Sequence, residues 1–159
     1  MNIRIGQGID FHRLEKDLSL WLGGVKIPSE KGCVAHSDGD VLLHAICDAL
    51  LGAAGLRDIG YYFPDSSAEF KDIDSKILLG RTFSLISEKG YSVINIDCTV
   101  CLEKPKIASF IPEMKTTISQ IIGTDKDNVA VKATTTEKLG FTGREEGIMA
   151  IAVVLLSGK

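Results

Sequence analysis

An aspartate and two histidines are the residues of this chain with the clearest potential for metal chemistry. Asp10 and His12 stand two apart in residues 8–12, which read as the end of a β-strand, so the two side chains share one face and Ile9 and Phe11 should point to the core. His44 lies in a later segment with helical periodicity. One carboxylate and two imidazoles would give zinc three protein ligands and leave its fourth position open, as in a catalytic site. The pattern therefore predicts a zinc centre between a strand and a helix.

The helix that carries His44 adds a polar row with two interpretations. Asp40, His44 and Asp48 recur every four residues and so stack on one face. In the metal interpretation, Asp48 hydrogen-bonds to the second ring nitrogen of His44. In the alternative, Asp10 and His12 are an ordinary surface pair and the polar row is a solvated helix face. These residues alone leave the choice to the rest of the chain.

The composition indicates a soluble globular protein with a single domain over residues 1–159. Its 159 residues suit one core, and 45% hydrophobic with 25% charged residues is an ordinary balance. The 18 basic and 21 acidic residues give a net charge of -3, which argues against nucleic acid as a partner. No apolar stretch reaches the roughly eighteen residues of a membrane span, and the N-terminal residues lack signal-peptide character. We therefore expect no membrane partner and a cytoplasmic protein, unless a plastid-targeting segment has been removed.

The four cysteines fit that compartment. Cys33 and Cys47 are isolated, whereas Cys98 and Cys101 form a C-x-x-C motif inside a β-rich run. Residues three apart on a straight strand face opposite sides, so this pair cannot chelate one ion, and no second pair completes a four-thiolate site. We expect four reduced thiols.

The periodicity of the chain predicts an α+β domain. Strands are expected at residues 2–12, 18–27, 91–103, 128–136 and 147–157. Helices are expected from a cap at Ser37 or Asp38 to about Gly55, over 74–89, and from Pro105 to Gly123. The first two strands would form a hairpin, 57–66 reads as a loop, and the apolar run at 147–157 indicates a strand buried on both faces. This order predicts a sheet of about four main strands with helices packed on one side.

Two further groups of residues suit phosphate. Residues 134–137 end a strand with three threonines and a glutamate, so hydroxyls and amides can meet phosphate oxygens and the carboxylate can hold a hard cation. Lys132 and Arg144 supply positive charge nearby. His36 and Ser37 precede a helix N-terminus, which favours anions. The alternative is an ordinary threonine-rich strand followed by turns. Because no serine–histidine–acid or cysteine–histidine pairing is evident, an enzyme built on this chain would rely on metals and positioning.

Seven motifs in one order cover the whole chain and together identify a family. They are Gly6-x-Gly8-x-Asp10-x-His12, Leu22-Gly23-Gly24-Val25, His36-Ser37-Asp38-Gly39-Asp40, His44-Ala45, Asp58-Ile59-Gly60, Phe63-Pro64-Asp65, and Lys132-Ala133-Thr134-Thr135-Thr136-Glu137-x-Leu139-Gly140-Phe141-x-Gly143-Arg144. The chain resembles the 2-C-methyl-D-erythritol 2,4-cyclodiphosphate synthases of the non-mevalonate isoprenoid pathway.

The resemblance implies a cyclising lyase that depends on zinc and on magnesium or manganese. Such an enzyme converts 4-diphosphocytidyl-2-C-methyl-D-erythritol 2-phosphate to 2-C-methyl-D-erythritol 2,4-cyclodiphosphate and CMP, and the 2-phosphate attacks the β-phosphorus. The resemblance also implies a ferredoxin-like subunit in a homotrimer around a central axis, with each active site between neighbouring subunits. An isoprenoid diphosphate would be a ligand of the central cavity.

The same resemblance assigns roles to individual residues. Catalytic roles would fall to Asp10, His12, His36, His44, Thr135 and Glu137. The zinc ligands would be Asp10, His12 and His44, and Glu137 would hold the second cation. Substrate phosphate would contact His36 and Ser37, and the methylerythritol pocket would consist of Asp58, Ile59, Gly60, Phe63, Pro64 and Asp65. The cytidine diphosphate would contact Pro105, Lys106, Thr134, Thr135, Thr136 and Glu137. Phe141 and Arg144 would lie near the trimer axis and the substrate phosphates.

Two positions depart from the family pattern, and two other functions stay open. Arg57 stands where a small residue, often glycine, is usual, and Ile107-Ala108 is an uncommon continuation of Pro105-Lys106. One other function is a zinc-dependent phosphate-ester hydrolase that activates water at the open zinc position. The other is a non-catalytic, zinc-stabilised oligomer that binds an anionic metabolite. The product separates the first from the cyclase, because hydrolysis leaves a linear phosphate.

Overall fold

A computed structural model describes residues 2–158 as an alternation of strands and helices. The strands are β1 (Asn2–Lys16), β2 (Leu20–Leu22), β3 (Val25–Ile27), β4 (Lys31–Val34), β5 (Tyr91–Cys101), β6 (Val129–Thr134) and β7 (Gly147–Gly158). The α-helices are α1 (Val41–Ala53), α2 (Ile59–Tyr62), α3 (Ser75–Glu88), α4 (Ile111–Ile122) and α5 (Gly140–Gly143). Short 3₁₀ segments cover Ala68–Phe70, Ala108–Phe110 and Lys126–Asn128.

One five-stranded sheet, in the order β4-β1-β7-β5-β6, positions the rest of the chain. β1, β7 and β5 are antiparallel neighbours, whereas β5 and β6 are parallel. Gly8, Ala152, Cys98 and Val131 form one row across four strands, and all four are buried. α1 packs across β1 and β7 on this face, with α3 beside α1 and α4 against β6. The predicted α+β sheet with helices on one side is confirmed, and β4 adds a short edge strand.

The two faces of β1 are the reverse of the sequence prediction. Ile9 and Phe11 were expected in the core, but their side chains are 44% and 53% exposed on the face away from the helices. The face toward α1 carries Gly6 and Gly8 instead, followed by Asp10 and His12. Because glycine has no Cβ, the helix backbone can come closer to β1 at these two positions than it could if any other residue stood there.

The predicted second strand is a small hairpin of its own. β2 and β3 pair with each other in a separate two-stranded sheet, and the chain reverses between them at Gly23 and Gly24, whose φ angles are 60° and 76°. Glycine adopts these left-handed angles without steric cost. The predicted hairpin between residues 2–12 and 18–27 is therefore wrong, because β1 pairs with β4 and β7.

The starts of two helices also differ from the prediction. Asp40, and not Ser37 or Asp38, caps α1, and its wholly buried carboxylate accepts hydrogen bonds from the backbone N–H groups of Leu43, Gly23 and Gly24. These bonds tie the β2–β3 turn to the start of α1. Pro112, and not Pro105, occupies the first turn of the helix that Gly123 ends.

The other predicted elements are confirmed within a few residues. α3, β5, β6 and β7 match the expected segments, and β7 lies inside the sheet with one face buried and the other half-buried. The four cysteines are buried free thiols. Across residues 2–158, the helices are all too short or too polar to cross a membrane.

Candidate active site

Asp10, His12 and His44 form a compact triangle of possible metal ligands. Asp10 Oδ2, His12 Nε2 and His44 Nδ1 lie 3.1 Å from one another on all three sides. Within residues 2–158 this is the one group of three or more histidine, cysteine or acidic side chains close enough to share an ion. The predicted zinc ligands are therefore brought together, one pair from β1 and one residue from α1.

The close contact of β1 with α1 creates this triangle. An ideal Cβ built on Gly6 would lie 2.0 Å from the Ala49 carbonyl oxygen, and one on Gly8 would lie 1.9 Å from the Ala45 carbonyl oxygen. The two backbones therefore touch where the strand has no side chains. Asp10 and His12 follow on the same face of β1, so they lie directly beside His44.

The electrostatics of the triangle favour an ionised carboxylate beside imidazoles. Burial acts to raise the pKa of Asp10, but hydrogen bonds to His12 and His44 and their charges lower it well below its usual range. Burial acts to lower the pKa of His44, but the hydrogen bond and charge of Asp10 raise it above its usual value. The three groups thus form a mutually stabilised acid–base cluster.

The second nitrogen of His44 does not meet the partner predicted for it. Asp48 was expected there, but its Oδ1 accepts a hydrogen bond from the backbone N–H of Ile59 at 2.7 Å, which ties α1 to α2. His44 Nε2 lies 2.8 Å from Ser75 Oγ and 3.2 Å from Ser37 Oγ. The sequence does not distinguish Ser75, because a serine at the start of a helix is an ordinary signal of a helix terminus.

The structure therefore contains a chain of serine, histidine and aspartate contacts that the amino-acid sequence does not reveal. Ser37 Oγ, the ring of His44 and Asp10 Oδ2 follow one another at 3.2 Å and 3.1 Å. The shorter 2.8 Å contact from the same His44 nitrogen to Ser75 competes with the Ser37 contact. Ser37 could act as a nucleophile only if this His44 nitrogen accepted its proton, so the contact with Ser75 bears directly on that role.

A cavity of about 290 Å³ opens beside the triangle. It brings together most of the residues predicted for zinc, phosphate and the methylerythritol pocket, which are Asp10, His12, His36, Ser37, His44, Ile59, Gly60, Phe63 and Asp65. Val34, Phe70 and Leu78 add an apolar wall. His36 Nε2 donates to the Ser67 carbonyl oxygen at 3.2 Å, which fixes the ring at the cavity edge.

Asp58 and Pro64 do not line this cavity. The Asp58 side chain caps α2 and accepts a hydrogen bond from the Tyr61 backbone N–H at 2.9 Å. Residues 57–66 thus contain a short helix where a loop was predicted. Arg57 precedes the cap with a φ of 71° and stacks its guanidinium 4.3 Å from the centroid of the Tyr61 ring. A left-handed φ favours glycine, so Arg57 adopts a backbone conformation that residues with a side chain rarely take.

A second cavity, of about 250 Å³, collects residues predicted for the cytidine side. Pro105, Lys106, Thr134 and Thr135 line it together with Glu103 and neighbouring apolar residues. Thr136 and Glu137 lie just beyond it. The Thr136 backbone N–H donates to Glu103, and the exposed Glu137 carboxylate accepts a hydrogen bond from Thr135 Oγ1 at 3.0 Å.

The two cavities lie far apart within one chain. Phe11 pairs with Met149, Met149 with Cys101, and Cys101 with Thr134, so three strand spacings separate the triangle on β1 from the end of β6. At roughly 4.8 Å per spacing, the separation is about 14 Å. The structure therefore assembles the predicted site residues into two groups, and a single chain does not unite them.

Phe141 and Arg144 belong to neither cavity. The Phe141 ring packs against Phe11 with centroids 5.9 Å apart, on the sheet face away from the helices. Arg144 makes a two-pronged ion pair with Glu146, with both N···O distances 3.0 Å.

The donor set of the triangle fits zinc. Tetrahedral zinc with ligand bonds of about 2.0–2.1 Å separates its ligand atoms by roughly 3.3 Å, close to the 3.1 Å sides observed here. One carboxylate and two imidazoles are among the usual donors of catalytic zinc. Glu137 offers a single carboxylate, which suits a hard cation that takes its other ligands from phosphates and water.

Known proteins of similar sequence and fold match this chain over nearly its whole length. Curated relatives named 2-C-methyl-D-erythritol 2,4-cyclodiphosphate synthase include those of Bacteroides fragilis, 57% identical over 157 residues and 99% of both chains, and Phocaeicola vulgatus, 60% identical over 156 residues and 98% of both chains. A solved CDP complex of IspF from Plasmodium falciparum is 38% identical with a TM-score of 0.87, covering 99% of this chain and 97% of that one. The bifunctional IspDF from Campylobacter jejuni is 43% identical with a TM-score of 0.96, and the match covers 99% of this chain but 43% of that longer one. Because residues 3–157 also match the family profile, the chain belongs to the YgbB family.

Proposed function

We propose that this chain converts 4-diphosphocytidyl-2-C-methyl-D-erythritol 2-phosphate to 2-C-methyl-D-erythritol 2,4-cyclodiphosphate and CMP. The observation that carries the proposal is the triangle of Asp10, His12 and His44 beside a cavity, in a chain whose curated relatives bear the name of this synthase. The proposal includes a cytoplasmic location, which bacterial relatives such as that of Bacteroides fragilis support.

The reaction needs no nucleophile from the protein. An oxygen of the substrate 2-phosphate forms a bond to the β-phosphorus, the bond from that phosphorus to the bridging oxygen breaks, and CMP leaves with the bridging oxygen. The protein must therefore hold two phosphates in line and reduce their repulsion. His36 and Ser37 at the cavity edge would orient the 2-phosphate end, and the apolar wall at Phe63 and Phe70 would exclude water.

We assign zinc to Asp10, His12 and His44, and magnesium or manganese to Glu137. When bound, these cations would polarise phosphoryl oxygens and neutralise the charge that repels the two phosphates. The chain contributes the orientation: the triangle turns three donor atoms to one point, and Thr135 holds the Glu137 carboxylate by a hydrogen bond. Pro105, Lys106, Thr134 and Thr135 would hold the cytidine diphosphate, which the CDP complex of the Plasmodium falciparum relative supports.

We propose that the active site forms between neighbouring copies in a homotrimer. The separation of about 14 Å between the two groups in one chain exceeds what a diphosphate bridges, so the groups that act together would come from adjacent subunits. In a cyclic trimer the same two surfaces meet at every interface. Each interface would therefore bring the triangle of one subunit next to the cytidine-side residues of its neighbour.

The uncovered face of the sheet supports the same assembly. Large apolar side chains of β1 point away from the helices with exposed fractions of 48% for Ile3, 73% for Ile5, 44% for Ile9 and 53% for Phe11. An apolar strand face of this extent, in a row beside half-buried residues of β7, is typical of a surface that another subunit covers. Three such faces around an axis would enclose an apolar central cavity, the expected site for an isoprenoid diphosphate.

The product of the purified protein tests the proposed reaction. With zinc and magnesium, phosphorus NMR should show the cyclic diphosphate together with an equal amount of CMP. His12→Ala should abolish turnover because it removes one corner of the triangle, whereas the exposed Lys26→Ala variant should behave as wild type. A linear phosphate product would contradict the cyclase and support the hydrolase.

The assembly has its own test with matched variants. Ile5→Glu places a charge on the uncovered sheet face, and Ile77→Glu places one at a 49% exposed position on α3. Light scattering should show a trimer for the wild type and for Ile77→Glu, but smaller species without activity for Ile5→Glu. A fully active wild-type monomer would contradict the shared site.

A further inference from the structure

Ser75 is a buried hydroxyl for which the proposed reaction has no use. It begins α3, has 0% of its surface exposed, and is not part of the cavity wall. Its Oγ lies 2.8 Å from His44 Nε2 and 2.5 Å from Asp38 Oδ1. This buried serine therefore connects the Asp38 carboxylate to the proposed metal ligand His44 through two hydrogen bonds.

The carboxylate of Asp38 sets the direction of these hydrogen bonds. A carboxylate has no proton to donate, so the Ser75 hydroxyl donates its single proton to Asp38 Oδ1. Only lone pairs of the Ser75 oxygen then face His44, so His44 Nε2 must carry a proton and donate it. His44 Nδ1, the ring nitrogen in the triangle, hydrogen-bonds to Asp10 as long as it carries a proton. Zinc would take the place of that proton, and the ring proton that stays would be the one on Nε2, so that the Nδ1 lone pair faces the triangle.

Asp38 is itself held in place. Its Oδ2 accepts a hydrogen bond from the Ser75 backbone N–H at 2.9 Å, and its Oδ1 accepts one from the Asp40 backbone N–H at 3.2 Å. The backbone N–H of Asp38 donates to the Ile73 carbonyl oxygen at 3.1 Å. The aspartate therefore bridges the start of α1 and the start of α3, and it cannot turn away without breaking both connections.

We propose that Ser75, anchored by Asp38, is a positioning residue that holds His44 in the Nε2-protonated tautomer and so presents Nδ1 to zinc. The inference rests on the zinc site of the proposed function. The same tautomer determines what Ser37 can do. A His44 ring that donates from Nε2 cannot accept the Ser37 proton, so the Ser37–His44–Asp10 contacts do not form a nucleophilic triad. Outer hydrogen-bond partners of ligand histidines typically contribute about 10- to 100-fold in metal affinity.

Zinc affinity of two serine variants tests the inference. Ser75→Ala removes the hydroxyl at 2.8 Å, and Ser37→Ala removes the one at 3.2 Å from the same nitrogen. Competition for Zn²⁺ with a fluorescent chelator should show a loss of about 10- to 100-fold for Ser75→Ala and less than about threefold for Ser37→Ala. Wild-type affinity in Ser75→Ala, or equal losses in both variants, would overturn the inference while leaving the proposed function intact. A wild-type protein that binds no zinc would overturn both.

A second measurement needs no variant and reports the tautomer directly. In ¹⁵N-labelled, zinc-loaded wild-type protein, the His44 ring should show a zinc-bound Nδ1 and a protonated Nε2. The Nε2 proton should exchange slowly with water, since it points to the buried Ser75. A proton on Nδ1, or zinc on Nε2, would overturn the proposal even if Ser75→Ala failed to fold.

Discussion

The contact between Gly8 and α1 makes a quantitative prediction for Gly8→Ala. The new Cβ would lie 1.9 Å from the Ala45 carbonyl oxygen and 2.7 Å from the Ala49 backbone nitrogen, and real Cβ contacts essentially never fall below 3.0 Å. The strand and helix must therefore separate by at least about 1 Å, because both partners are backbone and cannot rotate away. Overpacking usually costs about 1–3 kcal/mol, and a backbone clash belongs at or above the upper end, so we expect a loss of about 3 kcal/mol.

The same displacement should lower zinc affinity and catalytic activity by more than the loss of folding stability alone would. Metal sites hold their ligand distances to within about 0.2 Å, and a shift of about 1 Å between β1 and α1 moves Asp10 and His12 relative to His44 by several times that tolerance. A misplacement of this size can reduce catalysis by about a hundredfold. We therefore expect Gly8→Ala to lose zinc affinity by more than tenfold and activity by about a hundredfold.

Gly52→Ala is the matched control for this experiment. Gly52 lies on α1 itself, but its ideal Cβ comes no closer than 4.0 Å to the Gln7 carbonyl oxygen. Alanine favours the helix over glycine by about 0.5–1 kcal/mol, so this variant should be slightly more stable and bind zinc normally. Urea unfolding of the metal-free proteins at equal subunit concentration, followed by chelator competition, measures both effects. Wild-type stability and zinc affinity in Gly8→Ala would refute the close packing of β1 on α1.

Glu137, Arg57 and the buried thiols each give a separate expectation. Glu137→Gln should raise the magnesium concentration needed for half-maximal turnover by about tenfold, with exposed Glu88→Gln as its control; an unchanged metal titration would remove Glu137 from the second cation site. Because Arg57 has a φ of 71°, Arg57→Gly should be more stable than Arg57→Ala by about 1 kcal/mol in urea unfolding, the reverse of the helical order. Burial raises the pKa of the Cys47 and Cys98 thiols to about 12, so at pH 8 they hold roughly a thousandfold less thiolate than an ordinary cysteine. Alkylation of the folded protein, followed by mass spectrometry, should leave both unmodified, and rapid labelling would contradict their burial.

The elements that the sequence predicts well are those whose signal is local. Hydrophobic periodicity predicts α3, β5, β6 and β7, and a glycine just beyond the last turn predicts where a helix ends, as Gly123 does for α4. Both signals depend only on residues that are neighbours in the sequence. The three candidate metal ligands belong to this class only in part. The strand period puts Asp10 and His12 on one face and the helical period puts His44 in a polar row, but only the tertiary structure shows that the three side chains meet.

The features that the sequence does not predict depend on which backbone lies opposite. Asp40 caps α1 because its carboxylate also meets the glycine turn of the β2–β3 hairpin, and no local pattern reveals that second contact. Ser75 reaches His44 from a helix thirty-one residues further along the chain. Asp48 matches the spacing for His44, but its carboxylate accepts a hydrogen bond from the Ile59 backbone N–H at the start of α2 instead. Helical spacing identifies candidates, and tertiary contacts decide among them.

One alternating pattern in β1 gives both the wrong assignment of its two faces and the right expectation that Asp10 and His12 lie side by side. Period-two alternation says that Asp10 and His12 share a face, but it does not say which face meets the helices. Apolar residues normally take the core face, so the pattern wrongly predicts that Ile9 and Phe11 are buried. Gly6 and Gly8 decide the matter, because only their side of β1 allows α1 to touch the strand backbone. A shift of one residue in the β1–β7 pairing would put the bulky side chain of Ile9 against the helix and turn Asp10 and His12 away from His44. The two glycines therefore determine the packing of the core and the geometry of the metal site together, so a change to either should affect both properties.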